Sequence, residues 1–301
     1  MNPTYIRAGI ALSVLLISLV AQDSLDHPPP ADKIEVPQKG TTLPMGDIGG
    51  RPLVQVSVNG KGPYPFILDT GASVTVIDQG LKNELALHDR SGPPLLEPAG
   101  GPMARTVRIE ELRVGDAVLK GVTASPSPLS SMFGMSDPPR GVLSAASFPG
   151  YLLILDYPSK KISIRAGQLS TPDSRRVFGY TSEHVLPNVP VTVAGTVIRA
   201  HVDSGSPASL TLPTKYLKEL KFKSEPVETG KMRTHAGTFP LWTAKIDGGI
   251  ELGEYQLDLA NVNFSDVNPI PGEPTGNIGY QLLRSFVITM DAKNRRISFE
   301  K

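Results

Sequence analysis

The feature that most constrains this chain is an acid set in an apolar run, and then set there a second time. Phe66-Ile67-Leu68 leads into Asp69-Thr70-Gly71-Ala72-Ser73, and Val74-Thr75-Val76-Ile77 carries the chain onward. An unpaired charge is costly to bury, so a carboxylate in such a run needs a partner or a task. Taken alone, Asp-Thr-Gly is also good turn chemistry. The pattern returns in the second half, however. Ala200-His201-Val202 leads into Asp203-Ser204-Gly205-Ser206, and Pro207-Ala208-Ser209-Leu210 follows. Two apolar-acid-hydroxyl-glycine corners in one chain predict one unit used twice and built so that the two acids meet.

The flanks repeat as the corners do. Val54, Val56 and Val58 alternate with Gln55, Ser57 and Asn59, the period of a half-buried strand. Asn59-Gly60-Lys61-Gly62 is a hairpin turn that feeds the strand ending at Asp69. Val189, Val191 and Val193 alternate likewise, Ala194-Gly195 turns, and 197–202 leads to Asp203. Residues 81–87 and 216–220 are expected as short helices, and 107–114 and 117–122 as strands joined at Gly115-Asp116. Late in each half comes an apolar-glycine segment, Gly141-Val142-Leu143-Ser144 and Gly276-Asn277-Ile278-Gly279. Each half then ends in a hairpin, 151–156 with 161–164 and 286–290 with 296–299. A long-period repeat of one element order is a duplicated unit. The expected fold is all-β: two pseudo-symmetric barrel lobes, 45–167 and 181–301, joined by a connector at 168–180, with a cleft between them.

The 301 residues suit two domains of roughly 150 residues each. The 29 glycines and 29 prolines fit a turn-rich β chain. Absence of cysteine excludes disulfides, thiolate metal sites and a cysteine nucleophile. A net charge of +1 without a dense Lys/Arg block argues against nucleic acid as a partner. Residues 1–21 have the layout of a secretory signal: a basic start ending at Arg7, an apolar run over 8–20, and Ala21 before polar Gln22-Asp23-Ser24. The run is shorter than the roughly 20 residues a membrane span needs. An exported protein, periplasmic or secreted, is expected, with an uncleaved membrane anchor as the alternative. Residues 22–44 contain Pro28-Pro29-Pro30, Pro37 and Pro44, and read as an extended linker without a packed core.

Two carboxyl groups held about 3 Å apart cannot both ionise, so they share one proton. One then acts as base toward a water and the other as acid toward a carbonyl, which hydrolyses a peptide bond without metal or cofactor. Asp69 and Asp203 are the expected pair. Gly71 and Gly205 allow the sharp turn, and the hydroxyls of Thr70 and Ser204 are placed to bond across to the opposite lobe. His27, His88, His184 and His235 lack metal-ligand spacing. His201, Asp203 and Ser206 lie close in sequence, but no Gly-x-Ser-x-Gly elbow supports a serine nucleophile.

On these residues the chain resembles the aspartic proteases of the pepsin/retropepsin superfamily, in particular two-lobed exported bacterial members. The likeness covers roughly 45–301, and is densest over 52–77 and at Asp203-Ser204-Gly205-Ser206. It implies two retropepsin-like lobes and a catalytic pair Asp69/Asp203. Thr70, Gly71, Ser204, Gly205 and Ser206 would support the pair, and Gly141-Val142-Leu143 and Asn277-Ile278-Gly279 would pack beneath it. It implies flaps near Gly100, Gly101, His235 and Gly237, a peptide or protein substrate, no cofactor, and sufficiency of one chain as a monomer. Three departures stand out: Ser144 where the family has Gly, Asn277 where it has an apolar residue, and no flap tyrosine. They motivate an alternative, a non-catalytic module of the same fold that binds peptide or cell-wall ligands. A further expectation follows from Ala72 facing Ser206 in the repeat. A hydroxyl beside a carboxylate favours its ionised form, so Asp203 is expected to be the ionised partner through Ser206.

Overall fold

The alternating valines and the Asn-Gly turn build the first lobe's leading hairpin. In a computed structural model, which describes residues 31–90, 106–180, 186–234, 237–259, 261–266 and 276–301, Pro52–Val58 pairs antiparallel with Lys61–Asp69. Val54, Val56 and Val58 are buried and Gln55 is exposed, as a period of two requires. Asn59 and Gly60 both take positive φ, 50° and 76°, the turn whose twist matches the strands. The second lobe repeats this with Asn188–Val193, Thr196–Val202, and Ala194 and Gly195 at 49° and 82°.

Each hairpin seeds a barrel. In the first lobe Lys61–Asp69 pairs with Gly141–Ser144, that with Thr75–Asp78, then Ala117–Ser127, then Val107–Val114. The last strand returns to Pro52–Val58 and closes the ring. In the second lobe Thr196–Val202 pairs with Gly276–Ile278, then Leu210–Leu212, Val262–Phe264 and Gly237–Ala244. Here Asn188–Val193 pairs instead with a separate short hairpin, Ile250–Leu252 with Tyr255–Leu257, and among the described residues no strand pairing closes the ring. The long arms of the first lobe are thus broken in two in the second. Phe66, Leu68, Ile77, Leu119 and Leu143 fill one barrel, and Val189, Val202, Leu212, Phe264 and Ile278 the other.

A six-stranded antiparallel sheet joins the lobes, in the order Val177–Gly179, Arg296–Glu300, Val287–Asp291, Leu152–Asp156, Lys161–Arg165, Thr41–Pro44. At its centre the closing hairpins of the two lobes pair with each other, and Ile154 lies opposite Thr289. These two residues occupy matching places in the repeat, so the pseudo-twofold axis passes between them.

Four expectations change. The proline-rich segment is not a free linker over its described part. Lys33–Glu35 adds to Ala117–Ser127, and Thr41–Pro44 adds to Lys161–Arg165. Extended backbone with unpaired N–H and C=O groups is what a sheet edge accepts. The connector likewise contributes Val177–Gly179 to the interlobe sheet. The helix expected at 81–87 runs instead over Gln79–Glu84, capped by the Asp78 carboxylate accepting from Gly80 and Leu81 N–H. That expected at 216–220 is a 3-10 turn, Thr214–Leu217. The signal segment, Gly100, Gly101 and His235 lie outside the described residues.

Candidate active site

Asp69 ends its strand and Asp203 directly follows the matching one. Both strands are braced from beneath in parallel, Asp69 in register with Ser144 and Val202 with Ile278. The Asp203 N–H donates to the Ile278 carbonyl at 2.9 Å. Two apolar-glycine segments thereby fix the height at which each acid leaves its barrel.

The corners then lock across the lobes. Thr70 donates its hydroxyl to the Val202 carbonyl at 2.6 Å and its N–H to Ser204 Oγ at 3.0 Å. Ser204 reciprocates, donating its hydroxyl to the Leu68 carbonyl at 2.8 Å and its N–H to Thr70 Oγ1 at 3.0 Å. All four groups are buried, where a satisfied network rigidifies and a broken one is penalised. Thr and Ser do this because one hydroxyl both donates and accepts.

The lock brings the carboxyls together. They share a hydrogen bond, and Asp69 also accepts from Gly71 N–H at 2.7 Å and Gly205 N–H at 3.2 Å. Neither glycine tolerates a side chain. A Cβ on Gly71 would lie 2.7 Å from Asp203 Oδ1, and one on Gly205 would run into the Asp69 carboxylate. Burial, and then the charge of Asp203, push the Asp69 carboxyl up to about 8, against the pull of the two amide N–H groups. Asp69 is thus the carboxyl driven toward its protonated form.

Asp203 has a donor of its own. Asn277 Nδ2 donates to Asp203 Oδ2 at 2.7 Å. The expected donor was the Ser206 hydroxyl, but Ser206 Oγ is engaged elsewhere, accepting from Ala208 N–H at 3.4 Å. The side-chain amide is the longer arm and reaches the carboxylate from the strand below. The other departure, Ser144, is absorbed locally. Its hydroxyl donates to the Ala72 carbonyl at 2.6 Å and accepts from Ala146 N–H, capping a 3-10 turn. The matching Gly279 has no such room, since a Cβ there would lie 2.5 Å from the Ala208 carbonyl oxygen.

Three more groups surround the pair, and of these the sequence points to His201 but not to Arg51 or Tyr157. Arg51 donates Nε–H to the Gly205 carbonyl at 2.7 Å and stacks on Phe133 at 5.2 Å. Burial pulls its guanidinium down while Asp203, Asp69 and Asp47 hold it up. Tyr157, buried and edge-on to Tyr280 at 5.8 Å, feels both acids, which add to burial in pushing its phenol up. His201 is buried with Nδ1 against the Pro187 carbonyl at 2.8 Å, and burial pushes its imidazole down. It is thus held by backbone and is not part of a serine triad. Gly237 sits at the tip of the hairpin Val227–Thr234 with Gly237–Ala244, opposite Thr234. This hairpin is the second-lobe flap candidate. Among the described residues no cluster of His, Cys, Asp and Glu could hold a metal.

A family model described as aspartyl protease matches the chain twice, over residues 54–145 and 189–282, together more than half its length. Each match contains one corner and its bracing segment. No curated protein matches the chain.

Proposed function

The chain belongs to the aspartyl protease family, and from that membership we propose that it is an endopeptidase that hydrolyses peptide bonds with a water activated between Asp69 and Asp203. The observation that carries the reading is the pair of hydrogen-bonded carboxyls, Asp69 and Asp203, whose surroundings differ. Asp203, held by the Asn277 amide, serves as base, and Asp69 carries the proton. A water set between them gives a proton to Asp203 as its oxygen bonds the scissile carbon. Asp69 gives its proton to the carbonyl oxygen. The tetrahedral diol collapses as the C–N bond breaks. The proton on Asp203 goes to the leaving nitrogen, and a diol hydroxyl returns one to Asp69, which restores the pair. Arg51 and Tyr157 adjust the field on both acids and take no proton in this cycle.

Cleavage of a peptide library by the purified protein tests the reading, with Asp69→Asn and Asp203→Asn as controls. Cleavage by the parent and loss in both variants support it. Cleavage by all three, or by none, overturns it. The raised Asp69 places the alkaline limb of the rate profile near pH 8, a value belonging to the pair. Export through residues 1–21 is part of the same proposal, and N-terminal sequencing of protein from a secreting host should start at Gln22.

A further inference from the structure

The two lobes differ at one place next to the acids. In the first, Ile67 and Val142 stand in register on neighbouring parallel strands, two residues before Asp69 and two before Ser144. In the second, the same register pair is His201 and Asn277. An apolar pair has become a polar one, although a Val at 277 would fill the place without polar atoms to satisfy. Asn277 Oδ1 is buried without a partner, and so is His201 Nε2. An amide left half-satisfied costs free energy, so its one made bond, the 2.7 Å donation to Asp203 Oδ2, must return something.

We propose that Asn277 is a positioning residue that decides which carboxyl of the pair stays ionised. The inference rests on the protease reading for its kinetic form, but the bond itself does not. A donor aimed at a carboxylate strengthens when the carboxylate is charged. Asp203 has this donor from the strand beneath it, and Val142 offers none at the matching place under Asp69. Of the other charged or titratable groups facing Asp203, Arg51 leans toward it over Asp69 and is the one rival to Asn277 in ranking the acids. Arg51 acts on both carboxyls, and so does Tyr157. His201, on the strand leading to Asp203, is held neutral by burial, and Asp69 from the opposite lobe is the partner being ranked. Asp69 has donors of its own in the Gly71 and Gly205 N–H groups, so Asn277 supplies the opposing donor on the Asp203 side and with it assigns the base role to Asp203.

Asn277→Val and Asn277→Thr test this, since they match in size and differ by one hydroxyl that can donate. On a peptide that the parent cleaves, Asn277→Val should move the acidic limb of kcat up by about one to two pH units. Its kcat at acid pH should fall roughly ten- to hundredfold, with KM nearly unchanged, because the residue touches the acid and not the substrate. Asn277→Thr should recover part of both. Identical profiles for Val and Thr, or a change confined to KM, would overturn the proposal. Asn277→Leu is the second donorless variant should Val fail to fold. If the parent cleaves nothing, the protease reading fails, but the inference is still decided by carboxyl carbon NMR. An Asp203 titration that moves up in the donorless variant supports it, and one that stays in place overturns it.

Discussion

Asp69 shows how far one residue's environment departs from what an isolated carboxylate prefers. Its folded value is raised to about 8, whereas an unfolded Asp titrates near 4. Between those values the folded chain binds the extra proton, so this group's contribution to stability is complete below about pH 4 and is lost as pH rises toward 8. Asp69→Asn is neutral at every pH and keeps an acceptor for Gly71 N–H and a donor for Asp203. Thermal melts should therefore show the variant more stable than the parent at pH 8, level with it near pH 4, and inactive at both. A parent advantage at pH 8 would contradict the proton assignment. Gly205→Ala is the steric counterpart. Its Cβ would run into the Asp69 carboxylate, so activity should fall more than a hundredfold by kcat/KM, with the circular dichroism spectrum kept. Both acids and both glycines were legible in the sequence because their spacing repeats. Arg51 and Tyr157 were not, because they reach the pair through tertiary contacts that no local pattern records. Asn277 was visible only as a polar residue in an apolar place.

The corner is the element on which the site depends, and its strength lies in reciprocity. Thr70→Val keeps the volume but leaves the Val202 carbonyl and the Ser204 N–H without their partners. Two buried backbone groups unsatisfied should cost about 2–4 kcal/mol, read by chemical denaturation, and kcat should fall with them as the acids lose their fixed separation. Ser204→Ala breaks the matching pair from the other side. Because the four bonds form one network, the double variant should lose less than the sum of the singles. The hairpins and corners could be read from alternation and turn residues, including the paired positive φ at Asn59-Gly60 and Ala194-Gly195. The edge strands Lys33–Glu35 and Thr41–Pro44 could not. They are held by main-chain pairing to residues far along the chain, and side-chain periodicity carries no trace of that. The single-piece barrel of the first lobe and the divided arms of the second differ for the same reason, since where a long hairpin breaks depends on what it packs against.

At the scale of the whole molecule the two lobes are held by shape and pairing more than by the chain that links them. Five register pairs join Leu152–Asp156 to Val287–Asp291 about the pseudo-twofold axis, and the corner network crosses the same axis at the acids. The covalent link between lobes passes through 170–172, which is exposed. A protease site placed between Ser170 and Thr171 and then cut should leave one particle by size-exclusion chromatography, with kcat/KM unchanged. Ile154→Pro attacks the other connection. Ile154 faces Ser163 on one side and Thr289 on the other, so proline removes a ladder bond at the centre of the sheet, where it is not tolerated. In the uncut chain that change should lower stability and activity together. In the cut chain it should let the lobes part, since the central sheet pairing would be broken and the corner network, the Arg51–Gly205 bond and the bonds of Leu169 to Asp291 and Arg296 would be left to hold them. Separation of the cut parent, or persistence of the cut Ile154→Pro protein as one particle, would show that the interlobe sheet does not set the distance between the acids.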